Sequence, residues 1–79
     1  MKLRPSVRDA LAAHGIEARE DDDPGVLRDR LNEAYLVEVR RLKDRQRAGE
    51  IPLPEYAAHV EALKRRFALL GLPARLWAE

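Results

Sequence analysis

Apolar residues recur along the chain at alternating spacings of three and four, which is the period of one face of an α-helix. The strictest series steps by four, three, four and three residues: Tyr56, Val60, Leu63, Phe67 and Leu70. A broader apolar stripe precedes it: Leu27, Leu31, Ala34, Tyr35, Val39 and Leu42. The two patterns predict two amphipathic helices, at about residues 24–48 and 54–70.

The residues that flank these stripes predict where the two helices begin and end. Asp23 before Pro24 is typical of an N-cap followed by a proline at the first helical position. Gly49 is suited to end the first of the two helices, and Pro54 is suited to begin the second. Because only about five residues connect them, the helices are expected to be antiparallel neighbours. The stretch AGEIPLPEYA is then the bend of a helical hairpin.

A shorter helix is predicted ahead of the hairpin, at about residues 5–14. Ser6, with Asp9 three residues later, resembles a capping box, and Gly15 supplies a C-terminal stop. We interpret the chain as a single all-α domain, residues 1–79, in which this short helix packs across the hairpin.

Four further apolar residues are expected to close the small core. Ile51 and Leu53 are placed to plug the open end of the hairpin. Leu76 and Trp77 are placed to pack back on the bundle from a short helical turn, because a buried tryptophan contributes a large apolar area.

Charge is abundant but balanced. Charged residues make up 37% of the chain and the formal net charge is +1, so no strong field draws the whole molecule to nucleic acid or membrane. The longest mostly apolar run, FALLGLPA, is far shorter than the roughly 18 residues that cross a bilayer, and the amino terminus has no apolar signal region. We expect a soluble cytoplasmic protein without a membrane partner.

The composition also bears on the source of the protein. Arginine greatly outnumbers lysine, threonine is absent, and asparagine and glutamine are rare. Abundant ion-pairing residues with few thermolabile ones favour a thermophile, and a GC-rich genome is the alternative explanation of the same bias.

Residues suited to catalysis are scarce. The chain has no cysteine, its one serine is expected to cap a helix, and neither His14 nor His59 has a recognisable nucleophile partner. Glu55 and His59 could present two metal ligands on one helical face, but two ligands do not make a site. The aspartates at 21–23 lack the spacing of a calcium loop. We expect no enzyme, no cofactor and no metal.

Glu38 falls inside the apolar stripe of the helix predicted at 24–48. We interpret it as a carboxylate at the edge of the stripe that pairs with Arg41 or Arg45. A buried catalytic carboxylate is the alternative interpretation of the same residue.

Leu36 points nearly opposite to the stripe, where the first helix or a second subunit could cover it. A chain of this size buries only about 60% of the surface that its unfolded form exposes, so association with another copy would add stability. We expect a small non-enzymatic protein–protein interaction module that forms a homodimer. The interface candidates, for each of which the core is the alternative location, are Leu36, Tyr35, Phe67 and Trp77.

A nucleic-acid-associated regulatory protein is the alternative function. Basic residues gather near the end of the first hairpin helix and again within the second, where they could contact phosphates. The candidate contacts are Arg40, Arg41, Arg45, Lys64, Arg65 and Arg66. A solvated face with intrahelical ion pairs is the other interpretation of such a charge run.

Residues 37–71 resemble the SHOCT type of short helical hairpin. Gly49 and Ile51 match its glycine-x-isoleucine turn, and Glu55 with Tyr56 matches its Glu-Phe pair at the same distance from the glycine. The Leu-Leu-Gly ending of that type is also present. The resemblance implies a hairpin for oligomerisation or partner binding, with no catalytic residues.

A second resemblance, to SAP-type helix-extended-helix elements, covers residues 6–31. It is carried by Leu11, Gly15, Ile16, Leu27 and Leu31. That family generally binds DNA through basic residues between its helices, where this chain carries acidic ones.

Overall fold

The computed structural model describes residues 2–79, and they form an all-α fold. The helices in chain order are α1 (Pro5–Ala12), α2 (Pro24–Arg47) and α3 (Leu53–Arg66), followed by two short 3₁₀ turns, Ala68–Gly71 and Ala74–Leu76. α2 and α3 pack as an antiparallel hairpin, the 3₁₀ turns pack on α2, and α1 shares the same core. The predicted hairpin with a short N-terminal helix is confirmed.

α2 begins where its flanking residues predict. The carboxylate of Asp23 accepts a hydrogen bond of 2.9 Å from the backbone N–H of Gly25, and Pro24 occupies the first helical position, where no N–H is needed. Leu27 and Leu31 are buried, as the apolar stripe predicts. The N-cap is therefore built as the sequence indicates.

Gly49 ends the hydrogen-bonding pattern of α2 in the left-handed conformation, with φ of 82°. Its N–H donates to the carbonyl of Gln46 at 3.1 Å, and the N–H of Glu50 donates to the carbonyl of Arg45 at 3.0 Å. This pair of bonds is a Schellman motif, in which a glycine adopts the turn without steric strain. The predicted hairpin bend at 48–57 is confirmed.

The two apolar residues of the bend differ in their burial. Ile51 is buried between the helices, as expected, whereas Leu53 is 69% exposed. The predicted burial of Leu53 is wrong because this residue lies about 60° around α3 from Tyr56, beside the seam that packs on α2. Leu53 therefore adds to the surface of the hairpin.

α3 ends at Arg66, four residues before the predicted end. Phe67 leaves the helical conformation, with φ of −109° and ψ of 33°, and the residues after it form the first 3₁₀ turn. The tighter turn carries Leu69 and Leu70 against the core, and the carbonyl of Leu70 accepts a bond of 2.7 Å from Nη2 of Arg28.

α1 begins at Pro5, as predicted, and ends at Ala12, two residues early. The predicted capping role of Ser6 is wrong, because the N-cap is Arg4 and no side chain caps this helix. Pro5 has no N–H to be capped and a fixed φ, so it sets the first turn without help from a hydroxyl.

The end of α1 is tied to the end of α3. Gly15 has φ of 75°, and the N–H of Ile16 donates to the carbonyl of Leu11 at 3.0 Å, which confirms the predicted stop. Beside this turn, Nε2 of His14 lies 2.8 Å from the carbonyl oxygen of Arg66. The link fixes α1 across the hairpin.

Trp77 closes the core from the carboxyl-terminal side. Its side chain is fully buried, and Nε1 donates to the carbonyl of Leu72 at 2.9 Å. The next residue, Ala78, forms an antiparallel bridge with Leu3. Trp77 thus packs back on the bundle as predicted, but Leu76 remains 40% exposed, because the turn directs only one of the two side chains inwards.

The molecule is elongated, with extents of 46 × 17 × 15 Å. Its radius of gyration is 14.6 Å, where a compact chain of this length has about 12 Å. We call residues 36–66, which contain the bend of the hairpin and the parts of α2 and α3 next to it, the arm, and the other described residues the head.

Candidate interaction surface

The arm has two broad faces, one on each side of the contact between α2 and α3. One of them contains a groove of about 250 Å³, and the polar residues that line it are Glu38, Arg41, Arg45, His59 and Arg66. Arg41 lies 3.1 Å from Glu38, as the sequence predicts, and Arg45 lies 3.3 Å from Glu50. We call this side the charged face.

The opposite side of the arm is apolar along its centre. Leu53, Ala57 and Val60 recur at four and three residues along α3, and Leu36 and Val39 lie on the same side of α2. Leu36 is 36% exposed, Ala57 is also exposed, and Val39 and Val60 are half-buried. We call these five residues the apolar face.

Two lysines lie among the residues of the apolar face. Helical geometry places Lys43 about 20° around α2 from Leu36, and Lys64 about 40° around α3 from Val60. Nζ of Lys64 lies 3.7 Å from Glu61, and both side chains are exposed, so this ion pair contributes little to stability. The face is therefore an apolar strip that also carries two flexible cations.

The structure separates the four predicted interface residues. Leu36 lies on the apolar face, and Tyr35 is half-buried with its ring edge on Phe67, the ring centroids being 5.3 Å apart. Phe67 is 4% exposed and Trp77 is fully buried. In this fold, the last two side chains belong to the core of one chain and offer almost no surface to a second molecule.

The structure also divides the six predicted phosphate contacts. Arg41, Arg45 and Arg66 line the groove of the charged face, whereas Lys64 lines a pocket on the other side. Arg40 is about 160° around α2 from Leu42, and Arg65 points away from the hairpin contact. These residues do not form one continuous basic track.

A pocket of about 420 Å³ lies where the apolar face meets the head. Its polar lining residues are Arg28, Asn32, Tyr35 and Lys64, with Phe67 and Gly71 among the others. Nη2 of Arg28 is bonded to the carbonyl of Leu70, while its Nε is buried without a hydrogen-bond partner among residues 2–79. Sequence patterns did not single out this arginine, because the head that surrounds it is assembled from distant segments.

The acidic residues considered as metal ligands have local structural roles or lie apart. Asp23 caps α2, and Asp22 accepts a bond of 2.9 Å from the N–H of Arg19. Glu55 and His59 are exposed. Within the described part of the chain, no three His, Asp or Glu side chains are grouped so that they could hold a metal ion.

No helix among residues 2–79 combines the length and apolarity needed to cross a membrane. Comparison with known proteins gives no relative: no family model matches the chain, and no curated protein or solved structure does so.

Proposed function

We propose that this protein is a non-enzymatic helical interaction module that forms a homodimer through the apolar face of its arm. The observation that carries the proposal is the apolar strip on an arm that is mostly exposed. A second hairpin packed on this strip would complete a four-helix bundle.

The exposed area of the chain supports association. The solvent-accessible surface is 5678 Å², whereas a compact monomer of 9.0 kDa exposes roughly 4,900 Å². The difference of about 800 Å² equals what each partner buries in a standard protein–protein interface. A face-to-face pair of arms would restore the burial expected for compact proteins.

The chemistry of the apolar face suits a two-fold interface. In such a pair each residue meets a copy of the same surface, so like charges at the centre of the face would repel each other. Here Val39 and Val60 lie at the centre, and the two lysines on the same side, Lys43 and Lys64, have long side chains that can keep their ammonium groups in water. The resemblance to SHOCT hairpins implies the same kind of role.

The first test is the mass in solution, measured by light scattering coupled to size exclusion at low and high salt. We expect a dimer whose mass is insensitive to salt, because apolar burial holds it together. A monomer at all accessible concentrations would contradict the proposal.

A matched pair of variants locates the interface. Leu36→Asp places a charge in the apolar face, and we expect it to yield a monomer. Val37→Asp is the control, because Val37 is 41% exposed and lies about 100° around α2 from Leu36. Loss of the dimer in both variants, or in neither, would argue against the apolar face.

Nucleic-acid binding is the competing function and has less support. The predicted phosphate contacts lie on several sides of the arm, and two of the three arginines in the groove are paired with carboxylates. A probe shift at low ionic strength that weakens steeply with salt would favour it, and no shift would remove it.

A further inference from the structure

The pocket between the arm and the head has a lining suited to a negatively charged ligand. It contains two cations, Arg28 and Lys64, together with the amide of Asn32 and the ring of Tyr35. No carboxylate lines it, in contrast to the groove of the charged face, where Glu38 neutralises Arg41. An anion entering this pocket would therefore meet donors and positive charge without a competing acid in its wall.

Arg28 is held in place before any ligand arrives. The bond of 2.7 Å from Nη2 to the carbonyl of Leu70 anchors the guanidinium to the first 3₁₀ turn. A guanidinium has five N–H donors in a fixed fork, so one anchoring bond leaves others to recognise an oxyanion. A side chain fixed in this way loses less conformational entropy when it binds.

Arg28 also has a buried Nε–H without a hydrogen-bond acceptor in the described part of the chain, which is the second observation that supports an anion site. Burying an N–H without an acceptor is unfavourable, and native proteins keep few such groups. No acceptor for this nitrogen is found among residues 2–79. An oxyanion bound at the part of Arg28 that lines the pocket would balance a charge that no carboxylate of the described residues balances here.

Lys64 completes the site as an adjustable charge. Its Nζ contacts Glu61 at 3.7 Å, with both side chains more than half exposed. Such surface pairs are weak, so the flexible ammonium can leave Glu61 and turn to a ligand. Arg28 would position the oxyanion and Lys64 would neutralise it.

We propose that this pocket binds the oxyanion group, phosphate or carboxylate, of a small molecule through Arg28 and Lys64. Its volume of about 420 Å³ is within the range of small-molecule sites, and the half-buried ring of Tyr35 can contact an apolar part of the ligand. The site shares Lys64 with the side of the arm that carries the apolar face, but all of its lining residues belong to one chain, so binding does not require the dimer.

The test uses the full chain, labelled with ¹⁵N, and follows the Nε–H signal of Arg28 during titration with inorganic phosphate and, separately, with acetate. Chloride at matched ionic strength is the reference. We expect a saturable shift of this signal with one of the two oxyanions and none with chloride, and the stronger binder identifies the ligand group. Absence of saturation with both would overturn the proposal.

Variants separate a specific site from general charge attraction. Arg28→Gln and Lys64→Gln should each weaken binding at least about tenfold, since a hydrogen bond to a charged group contributes about 1.5–3 kcal/mol. Glu61→Gln should strengthen it by releasing Lys64, and Arg40→Gln should leave it unchanged. Equal effects of Arg40→Gln and Lys64→Gln would mean non-specific attraction.

The same titration with the Leu36→Asp variant distinguishes the anion-site proposal from the dimer proposal. If the dimer proposal fails, phosphate or acetate still binds the folded monomer. If Arg28→Gln loses its fold, as judged by circular dichroism, Lys64→Gln provides the deciding measurement, because the side chain of Lys64 is more than half exposed.

Discussion

The imidazole of His14 stacks on the ring of Phe67, with the ring centroids 4.2 Å apart and the planes inclined by 29°. The stack joins the second residue after α1 to the first residue after α3, and Nε2 of the same imidazole is hydrogen-bonded to the carbonyl of Arg66. His14 is thus a structural link between the head and the arm.

Replacing His14 with Ala should lower the free energy of unfolding by about 1–3 kcal/mol, because both an aromatic contact and a hydrogen bond are lost. Urea denaturation followed by circular dichroism measures the change. His59→Ala is the matched control, since His59 is exposed, and it should change stability by less than about 0.5 kcal/mol. Equal effects of the two variants would contradict the role assigned to His14.

Trp77→Ala should destabilise the protein by about 3–5 kcal/mol, because it removes the largest fully buried side chain and leaves a cavity. A domain this small has little stability to spare, so we expect loss of cooperative thermal unfolding. Leu76→Ala, at the exposed neighbour, should retain a cooperative transition. A normal melting curve for Trp77→Ala would show that the tail is not part of the core.

Gly49→Ala should cost about 1 kcal/mol, because alanine pays a steric penalty in the left-handed region. The space around Gly49 is open, so the effect comes from the backbone alone, and Gly71 is a control with equal space and no positive φ. Gly71→Ala should be neutral or slightly stabilising. Chemical denaturation of the two variants compares them directly.

Asp23→Ala should lower stability by about 1 kcal/mol through loss of the N-cap of α2. Asp21→Ala, in the same acidic run, removes one charge without touching the cap and serves as the reference. If both variants melt at the same temperature, the bond from Gly25 to Asp23 contributes nothing measurable.

Local rules predicted the hairpin well. The bounds of α2, the N-cap at Asp23 and the stop at Gly49 follow from interactions within a few residues, which a sequence displays directly. The end of α3 was harder to predict, since the apolar seam continues through Leu70 while the backbone changes conformation at Phe67. That change depends on the head, whose packing involves residues far apart in the chain.

The residues of the candidate surfaces could also be predicted only where local helical geometry determines their position. The position of Leu36 outside the contact between α2 and α3 could be predicted from the helical period alone, which places it about 120° around α2 from Leu42. The burial of Phe67 and Trp77 within one chain depends on α1 and the tail closing over them, and no local pattern reveals that. No sequence pattern pointed to Arg28, because its proposed role depends on Leu70 and Lys64, which lie near it only in the folded chain.

In the arm the contacting residues are close together along the chain, whereas in the head some of them are far apart, and this difference predicts the order in which the two parts fold. The arm closes over a bend of a few residues, whereas the bridge between Leu3 and Ala78 brings together positions near opposite ends of the chain. Loop closure is slower and entropically costlier for distant contacts. The hairpin should therefore form before the head, so weakening the arm would mainly slow folding, and weakening the Leu3 to Ala78 region would mainly speed unfolding.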